Sequence, residues 1–448
     1  MPQDLEGLTA ALLAAARKAG AEAADAIAVA GDSLSIEVRG GALEQAERAE
    51  GVDIGLRVLL GKRQACVSSS DVRPATIAAM AERAVAMARE APEDPWCGLA
   101  EADQLARDWD VAALDLFDAA DPPSPAELEA AARTAEAAAL AVAGVTKMDA
   151  SGAGWQSSAV HMAATNGFSG GYAQTSRSIQ AVAICGEGLG MERDYAFETR
   201  THGADLPSPE TIGRLAGERT VARAGAGKPP TGAYPVLFDE RVAASLIGHL
   251  TSAINGTSVA RGASWLKDAK GERVLPGGMD LIEDPHRPRI GGSRPFDGEG
   301  LPAARRALVR DGVLMGWTLD LATGRQLGMA STANAARGTS APPSPSAGNL
   351  ALTQGTATRE GLVAAMGTGL IVTGLIGASI NPTTGDYSRG ASGFWVENGE
   401  IVRAVNECTI AGNLRAMLAG MLAANDGRPH LGRVVPSLLV EGLVIAGS

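Results

Sequence analysis

An Asn-Gly pair, Asn398-Gly399, separates two runs of alternating β-type residues and constrains the fold more than any other local feature. Both central residues of a type I′ turn need positive φ angles, which Asn and Gly tolerate best. The sequence therefore predicts a β-hairpin at this point, and the glycines of segment 385–393 predict a glycine-rich loop leading into it. Because only 4% of the residues are aromatic, the adjacent Phe394 and Trp395 mark a predicted centre of packing.

The rest of the chain predicts an α+β fold: an N-terminal α/β lobe of helices on a mostly antiparallel sheet, followed by a β-rich C-terminal lobe with a few helices. Segment 224–232, AGAGKPPTG, is rich in Gly and Pro and lacks large apolar residues, which is typical of a linker. The N-terminal lobe then covers 1–223, with a possible division into subdomains at about 1–110 and 111–223, and the C-terminal domain covers 233–448.

Apolar spacing predicts the individual elements. Predicted helices cover 4–19, 74–90, 125–143, 207–222, 240–253 and 413–424. Predicted strands cover 24–30, 34–39, 51–60, 63–69 and 234–238, with a further pair inside 151–186 around Asn166-Gly167. The uncharged stretch 361–383 is long enough for a membrane span, but its glycines favour the end of a helix at 359–366 and then a buried strand at 370–375.

Charge and cysteine usage limit the classes of partner. The formal net charge is −12 and no long Lys/Arg run is present, which disfavours nucleic-acid binding because such proteins carry a basic patch. The first residues lack the positive segment of a secretory signal. The cysteines, Cys66, Cys97, Cys185 and Cys408, are far apart, as expected of reduced thiols. We therefore expect a cytoplasmic protein with no nucleic-acid and no membrane partner.

Residues that could carry chemistry are scattered. No two of the five histidines are close in sequence and no HExxH motif occurs, which argues against a locally encoded metal site but leaves open one assembled from distant residues. An apolar flank favours a buried, inert Cys408 over a thiolate paired with His249. Ser388 and Ser392 lack the strand-turn-helix context of a nucleophile elbow, which favours hydrogen-bonding turn serines.

Several motifs resemble those of one protein family. The block GDYSRGASGFWVENGEI, followed by TIAGN, is similar to the signature of the TldD/PmbA family in its PmbA, or TldE, branch. The segments NGFSG from Asn166, INGTSVARGASWLKD from Ile254, SRPFDGEG from Ser293 and STANAARG from Ser331 also resemble that family. The motifs extend over most of the chain in the order that the family shows.

The resemblance implies that this chain binds no metal. The catalytic TldD branch carries an HExxxH helix and a Cys ligand near its C-terminus. At the corresponding positions this chain has Ala244 for the first His and Ser245 for the Glu, so that His249 alone remains, and the tail after His430 has no Cys. Neither Ala nor Ser replaces an imidazole ligand or a carboxylate base. We expect no catalytic residue, no metal ligand and no cofactor here, and a hydrogen-bonded His249 on a packed helix.

The resemblance further implies the non-catalytic subunit of a heterodimeric metalloprotease. A TldD-type paralogue would supply the zinc, and the pair would act on unfolded peptides and peptide precursors. An isolated chain could form a homodimer by reusing the two-fold interface. Two alternatives stay open: a stand-alone peptide-binding or scaffold homodimer without a proteolytic role, and an autonomous hydrolase with an unrecognised site.

Candidate contacts with a peptide or the partner come from the family-like segments. They are Arg294, Asp297, Glu299, Asn334, Arg337, Arg389 and Phe394. For the charged loop that holds Arg294, Asp297 and Glu299, the simplest expectation is a solvated turn with a local ion pair.

Overall fold

The structure is a computed structural model that describes residues 4–447. The fold is α+β, as predicted. The elements of the N-terminal part are, in chain order, α1 (Leu5–Lys18), β1 (Ala23–Arg39), β2 (Ala42–Leu60), β3 (Arg63–Ser69), α2 (Pro74–Glu90), α3 (Pro125–Leu140), β4 (Val145–Ala164), β5 (Ser169–Cys185), β6 (Glu192–Arg200) and α4 (Pro209–Val221).

One antiparallel sheet, in the order β3-β2-β1-β4-β5-β6, organises the N-terminal part. Helices α1 and α2 cover one end of it, where Ala24, Ala26 and Ala28 of β1 face them. Helices α3 and α4 cover the other end of the same face, where Ile36 and Val38 lie. Alternate residues of each strand therefore point to the opposite face, on which no helix of residues 4–447 packs. We call this the helix-free face.

The long strands correct part of the prediction. Predicted strands 24–30 and 34–39 are two parts of the single strand β1, so the predicted break between them is wrong. Strand β2 begins at Ala42, although the prediction began at 51, because residues 42–50 are exposed and largely charged and show no apolar alternation. Predicted helix 125–143 forms as α3, and Ser124 with Glu127 forms the capping box that starts it.

The elements of the C-terminal part follow in chain order. They are β7 (Gly232–Phe238), α5 (Glu240–Ala253), α6 (Gly256–Ala260), β8 (Leu281–Glu283), β9 (Arg306–Arg310), β10 (Val313–Leu314), α7 (Leu321–Gln326), β11 (Ala335–Ala336), β12 (Ser344–Pro345), β13 (Leu350–Leu352), α8 (Arg359–Met366), β14 (Gly369–Ile380), β15 (Asp386–Glu397), β16 (Glu400–Asn413), α9 (Leu414–Ala419), β17 (Leu422–Ala423), β18 (Arg433–Val434) and β19 (Leu438–Ala446). Strand β16 pairs with both β15 and β19, so β7, β14, β15, β16 and β19 close into a ring.

The predicted hairpin forms between β15 and β16. Asn398 and Gly399 both have positive φ, 54° and 78°, as a type I′ turn requires. Trp395 is 1% exposed and packs edge-on against Tyr234, which confirms it as a centre of packing. The predicted glycine-rich loop is wrong, because residues 386–397 are strand. Gly393 is needed there because an added Cβ would lie 1.8 Å from the Ile371 oxygen on the neighbouring strand.

Two other C-terminal predictions have different outcomes. The helix predicted at 413–424 is wrong in length, since α9 ends at Ala419, Gly420 follows, and 422–423 form β17. The uncharged stretch forms the end of α8 and then β14, as predicted. In the part of the chain that the structure describes, no helix is long and apolar enough to cross a membrane.

The segments between the lobes are packed against the C-terminal part. In the predicted linker, the Gly227 amide donates to the Ala404 oxygen at 3.2 Å, and the Asn406 amide donates to the Gly227 oxygen at 2.9 Å. The Arg325 guanidinium donates to the backbone oxygens of Trp96 and Leu99 at 3.0 and 2.7 Å. The division of the chain at 224–232 stays a prediction.

Candidate functional site

Helix α5 carries the three positions that the family resemblance places at the metal-binding motif of the catalytic branch. Its side chains there are Ala244, which packs against the core, and Ser245, whose hydroxyl donates to the Val242 oxygen at 2.6 Å. His249, one turn further on, lies against Tyr387 of β15 with ring centroids 5.8 Å apart. The first two side chains therefore serve the helix and its packing.

His249 has no hydrogen-bonded role at its Nε2 atom. Neither that atom nor the hydroxyl of Tyr387 has a hydrogen-bond partner among residues 4–447, so the expected hydrogen bond of His249 at this nitrogen is wrong. Burial, and then the positive charge of Arg389, lower the pKa of His249, while burial raises the pKa of Tyr387 to about 12. Both groups are therefore neutral at neutral pH.

These residues do not fit a zinc ion. Protein zinc sites use at least three His, Cys, Asp or Glu ligands, and α5 offers one imidazole. The nearby charge is positive, because Arg389 lies beside His249 with its Nε donating to the Gly377 oxygen at 2.6 Å. Within the described range, no three His, Cys, Asp or Glu side chains are close enough together to hold a metal ion.

The nucleophile candidates are also built into the core. Cys408 is 4% exposed, its thiol donates to the Ala391 oxygen, and burial raises its pKa to about 11, which agrees with an inert thiol. Ser388 and Ser392 lie in strand β15, so their expected place in a turn is wrong. Ser392 accepts a hydrogen bond from Arg223 at 3.2 Å.

An open cleft lies between the helix-free face of the N-terminal sheet and two C-terminal loops, 287–298 and 430–432. We call it the interlobe cleft. It consists of two adjoining cavities of about 300 and 280 Å³. Both are lined by Gln174 of the sheet and by Gly291 and Gly292 of the loop, which connects them.

The sheet side of the larger cavity is covered with polar side chains. They are Gln156 and Ser158 of β4, Gln174 and Ser176 of β5, and Thr199 of β6. None of these side chains has a hydrogen-bond partner within residues 4–447; Gln156 and Thr199 are exposed and the other three are half-buried. The surface can therefore offer donors and acceptors to a ligand without breaking internal bonds.

Three predicted contact residues, Arg294, Asp297 and Arg337, line the smaller cavity. The expectation of a solvated turn is wrong, because Asp297 is 2% exposed. Its carboxylate accepts from the amides of Glu299, Leu301 and Ala335 at 2.9, 3.0 and 3.0 Å. Asp297 thus shapes the loop and connects it to β11.

A buried ionic cluster closes the base of the cleft. Arg57 of β2 and Arg337 both pair with Asp25 of β1, which joins the two lobes. Burial alone would raise the pKa of Asp25, but the charges of the two arginines lower it below its usual value. The Glu299 carboxyl forms no ion pair with an arginine within residues 4–447. Burial, and then the charge of Asp297, raise the pKa of Glu299 to about 8, and its carboxyl accepts from the Leu321 amide at 2.8 Å.

The other predicted contact residues lie elsewhere. Asn334 is 1% exposed and its amide donates to Glu283 at 2.7 Å, so it supports the loop from behind. Arg389 lies beside His249, and Phe394 packs on an interior cluster that includes Leu237. The sequence prediction missed the polar face of the sheet. The available signal was the placement of Gln or Ser at every second position of β5, at residues 174, 176, 178 and 180.

Comparisons with known proteins agree along the whole chain. Three family models match: PmbA/TldA metallopeptidase domain 1 at residues 24–88, the central domain at 118–224 and the C-terminal domain at 231–447. Metalloprotease PmbA of Escherichia coli O157:H7 is 35% identical over 440 residues, covering 98% of this chain and 95% of that protein.

Solved structures also match this fold over nearly the whole chain. A proposed modulator of DNA gyrase from Bacteroides thetaiotaomicron superposes with a TM-score of 0.91 at 26% identity, covering 100% of both chains. TldE from Thermococcus kodakarensis shares the fold, with a TM-score of 0.83 at 19% identity over 98% of this chain and 100% of that one. On the strength of the full-length match and the three family models, the chain belongs to the PmbA/TldD metallopeptidase family.

Proposed function

We propose that this chain is the non-catalytic, metal-free subunit of a heterodimeric metalloprotease in the cytoplasm. A TldD-type paralogue supplies the zinc, the base and the Cys ligand, and the complex acts on unfolded peptides and peptide precursors. The observation that carries the proposal is the composition of the α5 site. Ala244 and Ser245 have no ligand atom suited to zinc, and the side chain near His249 is a cation, Arg389.

The interlobe cleft supports the peptide part of the proposal. Its unpaired Gln, Ser and Thr side chains can bond to a peptide backbone whatever the peptide sequence is. The sheet also has a free edge, because β3 pairs with β2 only from Ile54 onward and no strand within residues 4–447 pairs with residues 42–52 of β2 on that side. An extended peptide or a strand of the partner could add to such an edge through main-chain hydrogen bonds.

Reconstitution with the catalytic paralogue tests this function. We expect casein cleavage only in the mixture, no stoichiometric zinc in this chain by mass spectrometry, and full activity of the mixture when His249 is replaced by Leu. His249→Leu removes an unpaired buried nitrogen, so its fold should be preserved. In the matched variant, the first His of the HExxxH motif of the catalytic paralogue is replaced by Leu, which should abolish cleavage. Equal cleavage by the partner alone would contradict the proposal.

One observation favours a second candidate, a peptide-binding or scaffold homodimer. Tyr195 and Phe197 of β6 lie on the helix-free face and are 51% and 47% exposed, as residues of a docking surface are. Chromatography with light scattering separates the candidates. A stable homodimer that does not exchange into a heterodimer when the paralogue is added would favour the scaffold.

A further inference from the structure

The smaller cavity of the interlobe cleft combines an apolar floor with one arginine. The floor consists of Ile27 of β1 with Val160 and Met162 of β4. Phe296 forms a wall, supported by its edge-to-face contact with Phe168 at 4.9 Å. A volume of about 280 Å³ is sufficient for one large apolar side chain and the backbone attached to it.

The arginine of this cavity, Arg294, has no hydrogen-bonded partner among residues 4–447. Its guanidinium makes no hydrogen bond within residues 4–447, its Nε is enclosed, and its side chain is 17% exposed. The nearest carboxylate oxygen, Oε1 of Glu283, is 3.9 Å away. A guanidinium is always charged, so leaving it unpaired away from water costs free energy that an anion would recover.

Glu283 cannot serve as that anion, because its oxygens are already used. Oε1 accepts from Asn334 and from the Gly348 amide at 2.7 and 2.6 Å. Oε2 pairs with Arg306 at 2.9 Å, which balances its charge. Asp297, the acid that lines the cavity, is occupied by three backbone amides, as described above. Arg294 is therefore a cation that lines the cavity with no hydrogen-bonded partner among residues 4–447, and Asp297 is the carboxylate that lines the same cavity.

Further unpaired polar groups surround the same space. The hydroxyls of Tyr172 and Ser346 and the amide of Gln174 line the cavity, and none has a hydrogen-bond partner in the described part of the chain. Together with Arg294 they can donate to both oxygens of a carboxylate and bond to the adjacent peptide group. Gln174 also lines the larger cavity, so a chain bound here continues onto the polar face.

We propose that this cavity binds the C-terminal residue of a peptide, with the free carboxylate on Arg294 and an apolar side chain on Ile27, Val160 and Met162. The inference rests on the proposed function for the peptide nature of the ligand, and it adds the end of the peptide and the class of its last residue. A free N-terminus is disfavoured because its ammonium group would lie beside the Arg294 guanidinium, and the Asp297 carboxylate already accepts from three backbone amides. The polar cavity then holds the residues that precede the terminus.

Binding of labelled hexapeptides to the full-length chain, measured by fluorescence anisotropy, tests the inference. We expect a peptide that ends in a free Leu to bind at least about tenfold more tightly than its C-terminal amide, since a bidentate charged pair is lost. Replacing the last Leu by Asp should weaken binding by a similar factor. An amide that binds as well as the acid would overturn the proposal, and this comparison needs no protein variant.

Variants assign the effect to Arg294. Arg294→Gln should remove the preference for acid over amide, and Arg305→Gln, in which a 64% exposed arginine near the same loop is changed, should keep it. An amidated peptide with an internal Glu that binds as tightly as the free acid would overturn the assignment to the terminus. Because binding is measured without the paralogue, cleavage by the mixed enzyme with equal binding of acid and amide would contradict this inference alone.

Discussion

Two regions of the molecule contain polar atoms without partners, and they differ in what surrounds them. Around α5, the orphan atoms belong to His249 and Tyr387 and are packed between a helix and strand β15. In the interlobe cleft, the orphan groups belong to Arg294 and the Gln and Ser side chains of a sheet face, and they line cavities of about 280 and 300 Å³. Only the second set has space for a ligand, so unpaired atoms indicate binding only where a cavity accompanies them.

The largest effect on the free energy of unfolding is expected in α5, because this helix is packed into the core. Leu246 follows Ser245 on α5, is 0% exposed and packs in the hydrophobic core of the C-terminal part. Leu246→Ala should lower the free energy of unfolding by about 2–5 kcal/mol, because it removes buried methyl groups and leaves a cavity. Urea denaturation followed by tryptophan fluorescence measures it, since Trp395 belongs to the same core.

Ser252→Ala on the exposed side of the same helix is the control for Leu246→Ala. Its hydroxyl bonds only to the Gly248 oxygen of its own helix, so a change within about 0.5 kcal/mol is expected. Equal effects of the two variants would mean that α5 is loosely packed, and the contrast between a closed and an open region would fail.

Glu299 at the base of the cleft predicts a stability gain that depends on pH. Its pKa is raised from 4.5 to about 8 in the folded chain, so the folded state binds more protons between these values and loses stability as pH rises through that window. Glu299→Gln should therefore raise the free energy of unfolding on the order of 3 kcal/mol at pH 8 and change it little at pH 4.5. Melting temperatures of both proteins at these two pH values measure the difference.

Glu101→Gln, at an exposed site, controls for the loss of a charge as such. It should shift the melting temperature equally at both pH values. A pH-independent effect of Glu299→Gln would show that water reaches the Glu299 carboxyl. The base of the cleft would then be open to solvent like the rest of the cleft.

The sequence was sufficient for the elements whose formation is local. The hairpin at Asn398-Gly399 follows from turn stereochemistry, and the start of α3 follows from the capping box of Ser124 and Glu127. The apolar spacing predicted helix α5 at 240–253, whereas its placement at the metal-binding motif of the family stays a prediction. In contrast, the glycines before the hairpin were misassigned because Gly393 serves the close approach of two strands, which no local pattern reveals.

The cleft could not be predicted because it depends on contacts between distant parts of the chain. The charged loop around Asp297 reads as an exposed turn, and only its position against the sheet buries it. Likewise, Arg294 differs from any surface arginine only because Glu283 is already occupied by three other donors. The Gln and Ser alternation of β5 marks a polar face, but which residues meet that face is a tertiary property.

The smallest effect on stability is expected within the cleft, where Ser176 and Thr175 are neighbours on strand β5. Ser176 and Thr175 both line the larger cavity, but the Ser176 hydroxyl is unpaired within residues 4–447. The Thr175 hydroxyl is buried, donates to the Thr201 oxygen at 3.0 Å and accepts from the Asp118 amide at 2.8 Å. Ser176→Ala should change the free energy of unfolding by less than about 0.5 kcal/mol but weaken peptide binding about two- to tenfold, the worth of one hydrogen bond. Thr175→Val should do the reverse, lowering the free energy of unfolding by about 1–3 kcal/mol and leaving the affinity for the peptide unchanged.

Peptide titration and urea denaturation of the Ser176→Ala and Thr175→Val variants test this contrast. If Ser176→Ala destabilises the chain and leaves peptide binding unchanged, the helix-free face is part of the scaffold and the peptide binds elsewhere.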